Sequence, residues 1–297
     1  MLHFRIYFSF ILIFSLTFGA NAQLPKTHLY ACKIDNINSD KWQLDKIQFL
    51  SNDNRDGYNN QPFLIDPETI LFVQRKITES NTDIYSCNLQ TKEKHRVTFS
   101  KGSEYSPRIY PLENKVISAV YVPEFDSTIQ SLIGIDFETG DHVTNFLDHH
   151  GKIGYYRHLN AKQWVTFIVD EPHILAVCDE DSDIRNVFAS NIGRTMEVID
   201  VNKVLFVHKI LEDNWILKEY NVKEGKAKII AKMPTKTEDF FRLSNGEIIC
   251  GNGSKILKWE DTNQIWKEIL DFSEYQITNI NRIAVKQNTL VFVNVVQ

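Results

Sequence analysis

Tyr85-Ser86-Cys87-Asn88-Leu89-Gln90-Thr91-Lys92 and Gly134-Ile135-Asp136-Phe137-Glu138-Thr139-Gly140 are two versions of one phrase. In each, strand-forming residues run into a short polar side chain and the chain then turns. Asn and Asp favour this because they hydrogen-bond the backbone two residues on. Weaker echoes are centred on Lys33, Asp179, Asn221 and Glu260, so the phrase recurs every 39 to 55 residues. A repeat of that length, built from short alternating strands, specifies an all-β propeller in which each repeat is one four-stranded antiparallel blade.

Working outward from Tyr85, one repeat reads as four strands. Pro62 to Ile65 is innermost, Asp66-Pro67-Glu68 turns, and Ile70 to Arg75 follows. Asp83 to Leu89 is third, and His95 to Phe99 is a polar outer edge suited to water. Further repeats run over Tyr105–Leu147, Tyr155–Ala189, Thr195–Ala231 and Phe240–Leu270, with Ser244-Asn245-Gly246 among the turns. After Ile280 only two strands remain, Asn281–Val285 and Leu290–Val296; before Leu50 there are two more, His28–Ile34 and Trp42–Phe49. Joining these pairs predicts six blades, with the N-terminal strands closing the ring on the C-terminal half-blade.

The first 22 residues read as a signal peptide. Arg5 precedes an apolar run from Ile6 to Phe18, and Ala20-Asn21-Ala22 has the small-x-small cleavage pattern. The run falls short of the roughly 20 residues that span a bilayer, so cleavage is expected rather than stable membrane insertion. The expected product is one propeller domain over residues 23–297, exported to the periplasm or the extracellular space. A net charge of −5 without a basic cluster argues against nucleic acid as a partner. Cys32, Cys87 and Cys178 fall at equivalent points of different blades, too far apart for disulfides, and are expected to be buried apolar groups. No C-x-x-C or other metal-ligand spacing occurs, so neither a metal nor a cofactor is expected.

The stretch from Tyr58 to Pro107 resembles the WD40-like β-propeller repeat of the bacterial TolB family. The resemblance rests on Gln61-Pro62, Asp66-Pro67, Leu71-Phe72-Val73, Asp83-Ile84-Tyr85, Val97-Thr98 and Ser106-Pro107. The chain as a whole is similar to a group of exported TolB-like propellers, through stretches such as Asn191-Ile192-Gly193-Arg194 and Gly251-Asn252-Gly253-Ser254-Lys255. The resemblance implies the fold; no counterpart of the N-terminal α/β domain that TolB carries ahead of its propeller is expected.

Loops entering the innermost strands of a propeller surround the mouth of its channel. Here they supply Asn60 and Gln61, Glu104 and Tyr105, Arg157 and His158, Arg194, Glu238 and Asp239, and Arg282. This mixed-charge ring suits a polar ligand, a peptide segment, or a carboxylate gripped by arginine. The same groups could instead satisfy one another around a solvated channel.

Other constellations carry less. Asn52-Asp53-Asn54-Arg55-Asp56-Gly57 begins like a calcium loop, but Phe63 stands where the bidentate glutamate belongs, so a turn-rich connector is expected. His149-His150 lacks a completing ligand set. Asp179-Glu180-Asp181-Ser182-Asp183 reads as a solvated turn. No G-x-S-x-G is present. The expected function is a non-catalytic, monomeric binding module for a protein segment or peptide of the cell envelope. The alternative is a hydrolase or lyase acting on a sugar or other small polar molecule, with Glu104 and either Glu238 or Asp239 as paired carboxylates.

Overall fold

The computed structural model describes residues 24–35, 37, 39 and 41–296; the signal-peptide reading lies outside them. The first strands are β1 (Thr27–Asp35) and β2 (Gln43–Phe49). Blade one is β3 (Tyr58–Leu64), β4 (Thr69–Arg75), β5 (Asp83–Asn88) and β6 (Lys94–Arg96). Blade two is β7 (Ser103–Tyr110), β8 (Glu113–Val122), β9 (Ser131–Asp136) and β10 (His142–Leu147). Blade three is β11 (Ile153–Asn160), β12 (Gln163–Ile168), β13 (Ile174–Asp179) and β14 (Arg185–Ser190). Blade four is β15 (Ile192–Asp200), β16 (Lys203–Leu211), β17 (Asn214–Asn221) and β18 (Lys226–Lys232). Blade five is β19 (Phe241–Arg242), β20 (Ile248–Asn252), β21 (Lys255–Glu260) and β22 (Ile265–Asp271). Blade six combines β23 (Ile280–Lys286) and β24 (Thr289–Val295) with β1 and β2, in the order β2-β1-β24-β23. The chain is therefore a six-bladed propeller, and its ring closes where β1 pairs antiparallel with β24, from Thr27 opposite Val295 to Lys33 opposite Thr289.

Strand alternation places the core between the blades. Ile70 and Phe72 on β4 pack toward blade six with Leu29 and Val293, whereas Leu71 packs toward blade two with Ile117 and Ala119. Each junction has its own apolar cluster, and the largest fully buried side chain among the described residues, Trp164, sits between blades two and three with Tyr156 and Val120. The cysteines are all free and buried, in four different clusters. Burial pushes the thiols up, Cys87 and Cys178 included, as expected of small apolar fillers.

The predicted turns recur as local hydrogen bonds. The Asp66 carboxylate accepts the N–H groups of Glu68 and Thr69, Asn88 serves Gln90 and Thr91, and Asp136 serves Glu138 and Thr139. The Asn52–Gly57 stretch is a connector with a short 3-10 turn at Asn52–Asn54. Its Asn54 amide is buried and donates to Asn59 Oδ1 (3.0 Å) and the Arg75 carbonyl (3.1 Å), while Lys94 and Lys26 engage Asp53 and Asp56.

Candidate functional site

Innermost strands do not run straight through their blades. On β3 the register passes from Asn60–Val73 to Phe63–Leu71, so Gln61 and Pro62 bulge opposite Phe72. On β7 it passes from Tyr105–Val120 to Arg108–Ser118, so Ser106 and Pro107 bulge opposite Ala119. Equivalent bulges place Arg194 and Thr195 on β15, and Asn281 and Arg282 on β23. Bulges bend the strand and re-aim its side chains. Gln61 and Ser106 both adopt φ near 56°, and the Asn60 side chain supports the first by accepting the Gln61 N–H at 2.7 Å. Proline suits such positions because no ladder donor is required there. The residues expected in entry loops are thus mostly inside strands; only Glu238 and Asp239 precede theirs.

These bulges line a cavity of about 970 Å³. It extends from the bulges at Gln61, Ser106 and Arg194, and from Asp239 just ahead of β19, to the exposed turns at Ser244, Asn245, Gln287 and Asn288 that follow β19 and β23. Its lining therefore includes inner hairpin turns, which the entry loops did not anticipate. Blades five and six contribute most of the wall, and β19 is only two residues long there.

Five of the expected residues line the cavity: Gln61, Arg157, Arg194, Asp239 and Arg282. The other five do not. Asn60 is spent on the Gln61 turn. Glu104 is 2% exposed, accepts hydrogen bonds from the Ser100 and Thr98 hydroxyls, and is turned into the junction of blades one and two. Burial, opposed in part by those two hydrogen bonds, raises its carboxyl to about 7. Tyr105 packs against the cluster between blades two and three. His158 stands edge-on to Trp164 and Tyr110, at 4.8 and 5.5 Å between ring centres, and burial lowers its pKa. Glu238 lies behind Arg194 and takes an ion pair from Lys209 at 2.6 Å. The proposed carboxylate pair is accordingly not presented to the cavity, since neither Glu104 nor Glu238 lines it.

Two carboxylates do face the space, and both are engaged. Asp239 receives Arg194 through two nitrogens, at 3.0 and 2.5 Å, and the Thr195 hydroxyl at 2.7 Å. Burial opposes its ionisation, but Arg194 and Arg282 outweigh that cost and hold the carboxyl well below the usual range. Glu197 is likewise penalised by burial, yet kept low by Arg157, which donates at 2.9 Å, and by Arg108. Arg108, Arg242, Glu197, Tyr155 and Phe63 were missed by the sequence reading. Strand period was the available signal: Arg108 lies two residues past Ser106, Glu197 two past Thr195, and Tyr155 two before Arg157.

Arg108 and Arg282 differ from the paired arginines. Each rests on an aromatic face, Arg108 at 5.2 Å from the centre of Phe63 and Arg282 at 4.9 Å from that of Tyr155. Arg282 also donates to the Tyr155 hydroxyl at 2.8 Å, while its buried Nε has no partner among the described residues. Among the described residues, neither has a carboxylate within ion-pair distance.

Similar folds occur among solved structures. A putative TolB from Agrobacterium tumefaciens has a TM-score of 0.62 at 10% identity, covering 92% of this chain and 99% of that one. TolB from Acinetobacter baumannii has a TM-score of 0.54 at 13% identity over 78% of this chain and 60% of that one, so this chain spans less than two thirds of that protein's length. An oligogalacturonate lyase in complex with manganese has a TM-score of 0.51 at 10% identity, with 86% and 83% covered. No family profile matches the sequence, and no curated protein matches it. At such identities the likeness is one of backbone: the chain is a six-bladed β-propeller whose fold resembles that of TolB.

Proposed function

We propose that this chain is an exported binding module whose axial cavity holds a peptide or protein segment of the cell envelope. The observation that carries the reading is a roomy cavity, about 970 Å³, whose polar side chains are presented by the innermost strands of the ring. Its size falls within the range of small-ligand sites, and a rigid wall limits the ordering cost of binding. The lining carboxylates favour binding over sugar chemistry. Glycoside cleavage needs one carboxyl protonated near neutral pH, and proton abstraction needs a base poised near it. Arginine holds Glu197 and Asp239 ionised and weakly basic, which suits neither role.

A displayed peptide library selected on the purified protein tests this reading. Ser244→Trp places a bulky ring at an exposed turn on the cavity rim, outside the core. Selected peptides should bind the parent protein and lose binding to the Ser244→Trp variant at unchanged melting temperature. Equal binding to both would refute the axial site. Retention of galacturonate oligomers but of no peptide would favour the sugar alternative.

A further inference from the structure

The cavity wall carries Arg108, Arg157, Arg194, Arg242, Arg282 and Lys286 against Glu197 and Asp239. That is six cations to two carboxylates, inside a protein whose net charge is −5. Two of the arginines neutralise the two carboxylates. What remains is a concentrated positive field in a space walled by protein, where charges are screened less than at the surface. Arg108 registers it: burial and the neighbouring Arg157 and Arg282 lower its pKa to about 10, and Glu197 only partly compensates. The Phe63 and Tyr155 rings hold the Arg108 and Arg282 guanidinium groups by their faces, a contact that leaves in-plane N–H donors free. The buried Arg282 Nε has no acceptor among the described residues, and a buried unmet donor costs stability until something supplies one.

We infer that the occupant of this cavity is anionic: a peptide whose carboxylates dock on Arg108 and Arg282. This rests on the peptide-binding reading above and names the chemistry that reading leaves open. An acidic peptide is repelled by the protein's overall charge, so preference for one reports on the cavity rather than on the surface.

Calorimetric titration with three hexapeptides, all blocked at the N-terminus and two also at the C-terminus, separates the cases. One alternates glycine with glutamate, one has glutamine in place of glutamate, and the third is the glutamine peptide with a free C-terminal carboxylate. The glutamate peptide should bind the parent about 10- to 100-fold more tightly than the glutamine peptide, as charge-assisted hydrogen bonds to a carboxylate imply. Its affinity should fall as salt rises from about 50 to about 300 mM. Arg108→Gln with Arg282→Gln should abolish the preference, and Arg108→Lys with Arg282→Lys should keep part of it. Tight binding of the free-acid glutamine peptide alone would also support the inference and assign the carboxylate to a chain terminus. Equal affinities for all three peptides, or no salt dependence in the parent, would overturn the anionic inference while leaving peptide binding intact. Binding of no peptide, with arginine-dependent binding of a galacturonate oligomer, would overturn both readings. Salt dependence is read on the unmutated protein, so the inference stays exposed even if a double variant does not fold.

Discussion

Replacing Glu104 by glutamine should make the protein more stable above neutral pH and leave it nearly unchanged near pH 5. The carboxyl is buried between blades one and two, with hydroxyl donors from Ser100 and Thr98 and, among the described residues, no cation in ion-pair contact. Burial raises its pKa from the ordinary 4.5 to about 7, with nearby Asp83 adding to the rise. The native state therefore holds a proton that the unfolded chain has released between these values. The resulting stability is fully present below about pH 4.5 and lost as pH rises through about 7. Each pKa unit corresponds to about 1.4 kcal/mol, so a native ionised Glu104 costs on the order of 3 kcal/mol above pH 8. Glutamine is close in shape, stays neutral, and can still bond the two hydroxyls after they rotate. Urea unfolding of both proteins at pH 5, 6, 7 and 8 gives the stability difference at each pH. The difference should grow from within about 1 kcal/mol at pH 5 to about 3 kcal/mol at pH 8. A difference that does not vary with pH would refute the reasoning, since no other titrating group changes between the two proteins.

Other perturbations follow from the same structure. Arg194→Ala removes both nitrogens that hold Asp239, which is 4% exposed, and should destabilise by about 3–5 kcal/mol in chemical denaturation. Adding Asp239→Asn should restore part of that loss, and strict additivity would show the pair to be uncoupled. Deleting residues 24–50 removes β1 and β2 and leaves β24 with an open edge; circular dichroism should show loss of a cooperative melt, and a melt near the full-length temperature would contradict the closure. Native protein should leave its thiols unmodified by an aromatic disulfide reagent over minutes, and all four cysteines should react once the chain is unfolded in urea.

The blade count was legible because its signals are local. Asx turns at Asp66, Asn88 and Asp136, and Gly246 at φ 93°, need only a few neighbouring residues to form, so the strands between them follow from alternation. Ring closure was legible from an imbalance, two strands left over at each end. The cavity was only half legible. Asn60-Gln61 and Glu104-Tyr105 read as loop entries, yet the strands already run through them and continue across bulges at Gln61-Pro62 and Ser106-Pro107. Each bulge resets which alternate residues look inward, so Glu104, ahead of one, was wrongly grouped with the lining and Arg108, beyond it, was overlooked. Nothing in the local sequence shows that Lys209 draws Glu238 away, or that Trp164 and Tyr110 claim His158; those contacts join different strands and blades.

The seam between β1 and β24 has a consequence for the order in which the molecule can be made. Its two edges lie at opposite ends of the chain, with Thr27 facing Val295. A ribosome delivers β1 before blades one to five and β24 after them, so β1 waits through their synthesis with one side unsatisfied. Loop closure over so long a span adds little free energy beyond that of a shorter loop, because the entropic cost grows only logarithmically. The delay is kinetic instead: exposed strand edges recruit other chains, and widely separated pairings form slowly. A chain that stops before Thr289 is thus a ring with a gap, carrying two adhesive edges, and the seven residues of β24 act as the latch that retires them both.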